Sequence, residues 1–163
     1  MKPLTIIAQE IHKLQTKKPC VIVAIDGRSG SGKSSFAKKL QEFLPESRIV
    51  HLDEFDLYEG SPNIQRLIEK VISPLITNSK KAEIVILEGV FALREKLLAY
   101  YDYKIWVDCP KEIGFERGLK RDIALNGIDN SDRWRDYWLP KEEEYIASEN
   151  PHAKADVVVD GNM

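Results

Sequence analysis

Long apolar runs are missing from this chain of 163 residues. The longest aliphatic stretch, Val21-Ile22-Val23-Ala24-Ile25, covers five residues. A helix needs about 20 such residues to cross a bilayer, so no membrane partner is expected. The first residues also lack the apolar core of a signal peptide. A basic excess is missing too: 24 Lys and Arg against 26 Asp and Glu leave a net charge of −2. Without a basic stripe, nucleic acid is not an expected partner. Cysteine is scarce. Cys20 and Cys109 stand at the ends of apolar runs and read as small buried hydrophobes in a reducing compartment rather than as a disulfide. The expected location is cytoplasmic. No Asn-Lys-x-Asp guanine motif occurs, which argues against a regulatory GTPase. His12, His51 and His152 show no metal-ligand spacing and no partnered nucleophile, so none is given a role.

What is present is ordinary for a globule, 43% hydrophobic and 31% charged, with a length that suits one domain over 1–163. Five apolar runs predict strands at 20–25, 48–52, 83–88, 103–108 and 155–160. None alternates strictly, as expected of parallel strands covered on both faces. Helical patterns at about 3–17, 33–44, 62–77, 91–100, 110–126 and 132–148 lie between them. This alternation predicts an α/β domain with a parallel sheet and right-handed crossovers. Connections 53–62 and 126–132 are rich in Asp, Asn, Gly and Ser and read as flexible.

Gly27-Arg28-Ser29-Gly30-Ser31-Gly32-Lys33-Ser34 completes the pattern GxxxxGK[ST] between the first strand and the second helix. Strand, glycine loop and helix N-terminus are the parts of a phosphate-binding loop. Gly27, Ser29, Gly30, Ser31, Gly32, Lys33, Ser34 and Ser35 are therefore the expected nucleotide-binding residues, with ATP the expected donor. Lys33, expected on the surface, would reach the β and γ oxygens, and the Ser34 hydroxyl would ligate Mg²⁺.

In open α/β sheets the chemistry gathers beyond the carboxyl ends of the strands. Strand two delivers Asp53-Glu54-Phe55-Asp56 there. Asp53 could take a proton from an attacking hydroxyl and touch Mg²⁺, whereas Glu54 and Asp56 read as a solvated acidic loop. Strand three ends Ile84-Val85-Ile86-Leu87-Glu88-Gly89, which puts Glu88 where a Walker B acid orients Mg²⁺. On the fifth helix Arg117 and Arg121 are i, i+4 and could neutralise a transferring phosphoryl group. A salt-bridged surface helix with Glu116 and Asp122 is the competing reading. Trp106 lies in a strand and reads as core, and Trp134 and Trp138, also i, i+4, read as a packed helix face.

In this order, Gly27 to Ser34, Leu52-Asp53-Glu54-Phe55, Leu87-Glu88-Gly89-Val90, Ile105 to Pro110, Arg117 with Lys120-Arg121-Asp122, and Ala155-Asp156-Val157-Val158-Val159 resemble the uridine kinase and phosphoribulokinase family of P-loop kinases. The resemblance runs from about residue 20 to 161. It implies a three-layer fold with a five-stranded parallel sheet of order 2-3-1-4-5. It also implies ATP·Mg²⁺ as donor and a hydroxyl of a small molecule as acceptor. By the same resemblance Asp53 is the base, Glu88 sits at the metal, and Arg117 and Arg121 belong to a closing lid at about 112–132.

Departures concentrate on the acceptor side. Only residues 54–87 separate Asp53 from Glu88, where uridine kinases carry a longer segment with an aromatic hairpin for the nucleoside. Asp56 replaces a tyrosine, Gly118 a second arginine, and Asn126 and Leu139 two later lid arginines. Arg133, Arg135 and Lys141 are the available substitutes. The donor half thus reads as intact and the acceptor half as rebuilt. The alternative is a nucleotide-binding or ATPase module without small-molecule kinase activity. Monomer and homodimer both stay open.

Overall fold

The computed structural model of the protein describes residues 2–78 and 83–162, so both ends of the 1–163 span fall outside the described residues. The strands β1 (Cys20–Gly27), β2 (Ser47–His51), β3 (Glu83–Glu88), β4 (Tyr103–Asp108) and β5 (Val157–Asp160) form one sheet of order β2-β3-β1-β4-β5. All pairings are parallel, with Ile25 opposite Glu88 and His51 also opposite Glu88. The order is the one the sequence resemblance implies. β1 is central, and every one of its residues is buried. Its side chains still divide by face. Val21, Val23 and Ile25 join Ile7, Ile11, Phe36 and Leu40 of helices α1 (Leu4–Gln15) and α2 (Lys33–Phe43) on one side. Ile22 and Ala24 join Leu67, Ile72, Leu97 and Tyr145 on the other. Two apolar faces remove the alternation that a half-exposed strand would show.

That second face is covered by two long rods. One runs through α3 (Ser61–Leu67), a π-turn (Ile68–Ile72) and α4 (Ser73–Asn78). The other runs through α7 (Ser131–Arg133), a π-turn (Trp134–Trp138) and α8 (Leu139–Glu149). The sequence reads each as an unbroken α-helix; the widened turns are the correction. In both rods the π-turn ends two residues before a proline, Pro74 or Pro140. Proline has no N–H to give and crowds the carbonyl four residues back, and a wider turn relieves both problems.

The helix expected over 91–100 shrinks to α5 (Glu95–Leu98). The chain turns sharply at Phe91, whose φ is 67°, a conformation that a bulky residue adopts at a cost. The turn buries Phe91, Ala92 and Leu93 completely. The last strand begins at Val157 rather than 155, because Asp156 turns the chain and accepts from the Lys104 N–H. Helix α6 (Lys111–Asn126) is as expected, and a short α9 (Pro151–Lys154) follows Asn150. Segment 53–62, read as a flexible connection, folds into two 3₁₀ turns, Leu52–Phe55 and Leu57–Glu59, ahead of α3. Cys20 and Cys109 are buried free thiols, and burial pushes both up in pKa. Among the described residues no helix is long and apolar enough to cross a membrane.

Candidate active site

Carboxyl ends of β1, β2, β3 and β5 open onto one cleft of about 770 Å³. Its floor is the loop between β1 and α2. Gly30 (φ 73°) and Gly32 (φ 96°) turn the loop back on itself. A Cβ at Gly30 would lie 2.0 Å from the carbonyl oxygen of Gly114, so the loop tip is seated on the first turns of α6. Only glycine fits there. Ser29, Gly30, Gly32, Lys33, Ser34 and Ser35 border the cleft, while Gly27 and Ser31 of the expected set lie behind it.

Lys33, expected on the surface, is only 7% exposed. Its ammonium donates to the carbonyls of Gly27 at 3.0 Å and Arg28 at 2.9 Å. The loop thus wraps around its own lysine and holds the charge at the cleft floor. Ser34 Oγ donates to Glu88 Oε1 at 3.1 Å, so the hydroxyl and the carboxylate expected at the metal are brought together. Glu88 is 4% exposed. Its Oε1 also takes a hydrogen bond from His51 Nδ1. The sequence pattern assigns His51 no role, yet the strand order makes it the direct neighbour of Glu88. Adjacency of β2 and β3 was the available signal.

Asp53 sits in the first 3₁₀ turn, exposed and on the cleft wall. Asp56 borders the cleft as well, with φ 48°. Asp56 remains an exposed loop acid, as expected, and it also lines the cleft, while Glu54 stays off it. Both arginines of α6 border the cleft. Arg117 donates to the Gly161 carbonyl at 3.1 Å and Asn162 Oδ1 at 2.9 Å. Arg121 pairs with its neighbour Asp122 at 3.0 Å.

Residues of the second rod close the far side. Trp134 is buried against Gly118, where a Cβ would come within 2.3 Å of the ring. Its Nε1 donates to Asp122 at 2.9 Å, and Phe115 and Trp138 meet it edge-on. Gly118 therefore exists to admit Trp134. The two tryptophans pack as expected, but both also border the cleft. Of the three available substitutes for missing arginines, Arg133 lines the cleft, its guanidinium over Trp138 and Tyr137 at 5.0 and 5.7 Å. Arg135 pairs with Asp132 at 2.6 Å, and Lys141 donates to the Tyr58 carbonyl at 3.2 Å.

The site suits a nucleotide and a divalent ion on its own chemistry. Among the described residues no three His, Cys, Asp or Glu converge as a protein-only metal cage. A hydroxyl beside one carboxylate is instead the sparse donor set of Mg²⁺ held partly by phosphate and water. Ser31 Oγ, buried in the loop, has no hydrogen-bond partner among the described residues.

A β2-β3-β1-β4-β5 sheet with a glycine loop wrapped around a lysine defines the P-loop kinases. The profile of the phosphoribulokinase / uridine kinase family matches residues 66–161, and the chain belongs to that family. A uridine kinase of Borrelia garinii subsp. bavariensis is 29% identical over 71% of this chain and 78% of its own length. Uridine-cytidine kinase C of Dictyostelium discoideum is 24% identical over 73% of this chain and 33% of its own. Among solved structures, a "possible uridine kinase" from Bacillus stearothermophilus aligns with a TM-score of 0.65 at 18% identity, covering 94% of this chain and 99% of that one. A protein described as a fructose transport system kinase from Silicibacter sp. TM1040 aligns at 0.76 and 18%, covering 98% and 100%. At such identities these two likenesses are of fold. Family membership makes the chain a P-loop small-molecule kinase with ATP as phosphoryl donor.

Proposed function

We propose that the cleft binds ATP with Mg²⁺ and passes the γ-phosphoryl group to a hydroxyl of a small acceptor that need not be a nucleoside. The convergence of Lys33, the Ser34–Glu88 pair and Asp53 on one cleft supports this reading most directly. The loop N–H groups and the Lys33 ammonium cradle the phosphates. Ser34 and Glu88 would hold the ion, with His51 orienting Glu88 through its hydrogen bond. An ion held there would supply positive charge against the phosphates. The acceptor oxygen attacks the γ-phosphorus as the bond to ADP breaks, and its proton passes to the Asp53 carboxylate. Arg117, Arg121 and Arg133 supply positive charge around the transferring group.

The acceptor wall differs from a nucleoside clamp in its chemistry. Asp56 and, from the second 3₁₀ turn, Leu57 and Tyr58 line the same cleft as Arg133 and Trp138. Two carboxylates, Asp53 and Asp56, sharing a cleft with a guanidinium and an indole ring suit a compact polyhydroxylated acceptor. A reducing cytoplasm fits two buried free thiols. The test is transfer of labelled γ-phosphate across nucleosides, sugars and vitamins with Mg²⁺. Labelled product from at least one acceptor is expected. ATP turnover that no acceptor accelerates, over the whole panel, would instead assign an ATPase.

A further inference from the structure

Glu142, on α8, is fully buried and carries a carboxylate that the proposed chemistry does not use. Among the described residues it makes no ion pair. Its Oε2 accepts the Ser29 backbone N–H at 3.2 Å, and its Oε1 accepts both the Ser29 hydroxyl and the Tyr58 hydroxyl, the latter at 2.8 Å. The two hydroxyls lie 3.0 Å apart. One carboxylate therefore joins three pieces of chain: the tip of the phosphate loop, the acceptor wall and α8.

A buried charge without a cation is costly unless hydrogen bonds replace its water. Three donors do so here, and all three point inward only while the pieces keep their places. Ser29 and Tyr58 border the cleft, whereas Glu142 does not. The carboxylate therefore stands behind the loop and acts as a strut; it does not occupy the phosphate position. Burial and the Glu142 charge push the Tyr58 hydroxyl up in pKa, so it stays a donor. The neighbouring Glu143 grips Arg28 of the same loop, and Tyr58 packs edge-on against Phe91 with centroids 4.6 Å apart. The loop tip and the acceptor wall are thus held as one body.

We propose that Glu142 is a positioning residue that fixes the tip of the phosphate loop to the acceptor wall through Ser29 and Tyr58, so that a change at the wall is felt at the nucleotide. The inference rests on the reading of the loop as the ATP site. Its weakest variant structurally is Tyr58→Phe, which deletes one oxygen and keeps the ring. Glu142→Gln keeps the shape but turns an NH₂ donor toward either the Ser29 N–H or the two hydroxyls. Mg·ATP affinity is measured by calorimetry for wild type, both single variants and the double variant, with thermal melting alongside.

The expected result is a loss of roughly threefold to tenfold for Tyr58→Phe, the size of one hydrogen bond. A larger loss is expected for Glu142→Gln, with little further loss in the double variant because one network is being broken. Unchanged affinity of folded Tyr58→Phe overturns the inference, as does strict additivity in the double variant. Tighter ATP binding by Glu142→Gln overturns it too, since that is the mark of a plug. Wild type that fails to bind Mg·ATP overturns the reading of the loop instead, so the two failures are distinguishable.

Discussion

At the scale of single residues, the site works by holding charges where water would otherwise scatter them. Lys33 shows this: two loop carbonyls fix its ammonium before any phosphate arrives. Lys33→Ala should cut Mg·ATP affinity at least tenfold, since charge-assisted bonds exceed neutral ones. It should also lower the melting temperature by a few degrees, because two carbonyls lose their donor. Calorimetry and thermal melting read the two effects separately, and unchanged affinity would remove Lys33 from the site. Asp53 makes the opposite case, an exposed carboxylate on the cleft wall. Asp53→Asn should lower turnover by about 10²–10⁴-fold, the range of general-base contributions, with ATP affinity within a few fold. Near-normal turnover in the transfer assay would mean that alignment alone suffices, as loose phosphoryl transfer permits. His51 belongs with these two, because its bond to Glu88 ties the end of β2 to a carboxylate of the cleft.

At the scale of elements, what could be read in the sequence was contiguous. The strand, the loop of glycines and the helix after it are encoded within residues 20–44, and their expected boundaries match β1 and α2 to within two residues. The π-turns were not legible, because helical periodicity is blind to one extra residue per turn, although Pro74 and Pro140 marked the places. Tyr58 and Glu142 were missed for a different reason. They meet across 84 positions of chain, and no local pattern encodes such a contact. Helix α6 lies between these cases. It is seated at Gly114 on the loop and at Gly118 on Trp134, while its C-terminal half and the turn after it are exposed. Gly118→Ala should therefore destabilise by about 1–3 kcal/mol, the usual cost of overpacking, read by denaturant unfolding. If residues 112–132 form a lid, hydrogen exchange there should slow when a non-hydrolysable ATP analogue and an acceptor bind together. Arg121→Ala should then lower kcat more than it raises KM for ATP. No added protection over 112–132 would leave α6 an ordinary surface helix.

For the molecule as a whole, the pieces around the site are tied at one fully buried carboxylate, Asp26, at the end of the central strand. It accepts the N–H of Gly27 at 2.7 Å, the N–H of Leu93 at 2.8 Å and the hydroxyl of Tyr145 at 2.7 Å. Loop, β3–α5 turn and α8 therefore converge on one side chain. Burial pushes its pKa from 3.8 up to about 6, against the pull of those three donors. The sign follows from linkage. A carboxyl that binds its proton more tightly in the folded state stabilises the fold fully below the unfolded pKa. That contribution is lost as pH rises through the folded one. The window here is roughly pH 4 to 6, and the size is on the order of 3 kcal/mol at most. Asp26→Asn removes the titration, though it lowers stability overall because its NH₂ meets a backbone N–H. Other carboxylates titrate alike in both proteins, so they cancel in the difference. Urea unfolding from pH 4.5 to 7.5 should show the wild-type advantage over Asp26→Asn shrinking as pH rises. A difference that is constant or grows with pH would mean that Asp26 ionises normally, with its three donors outweighing its burial.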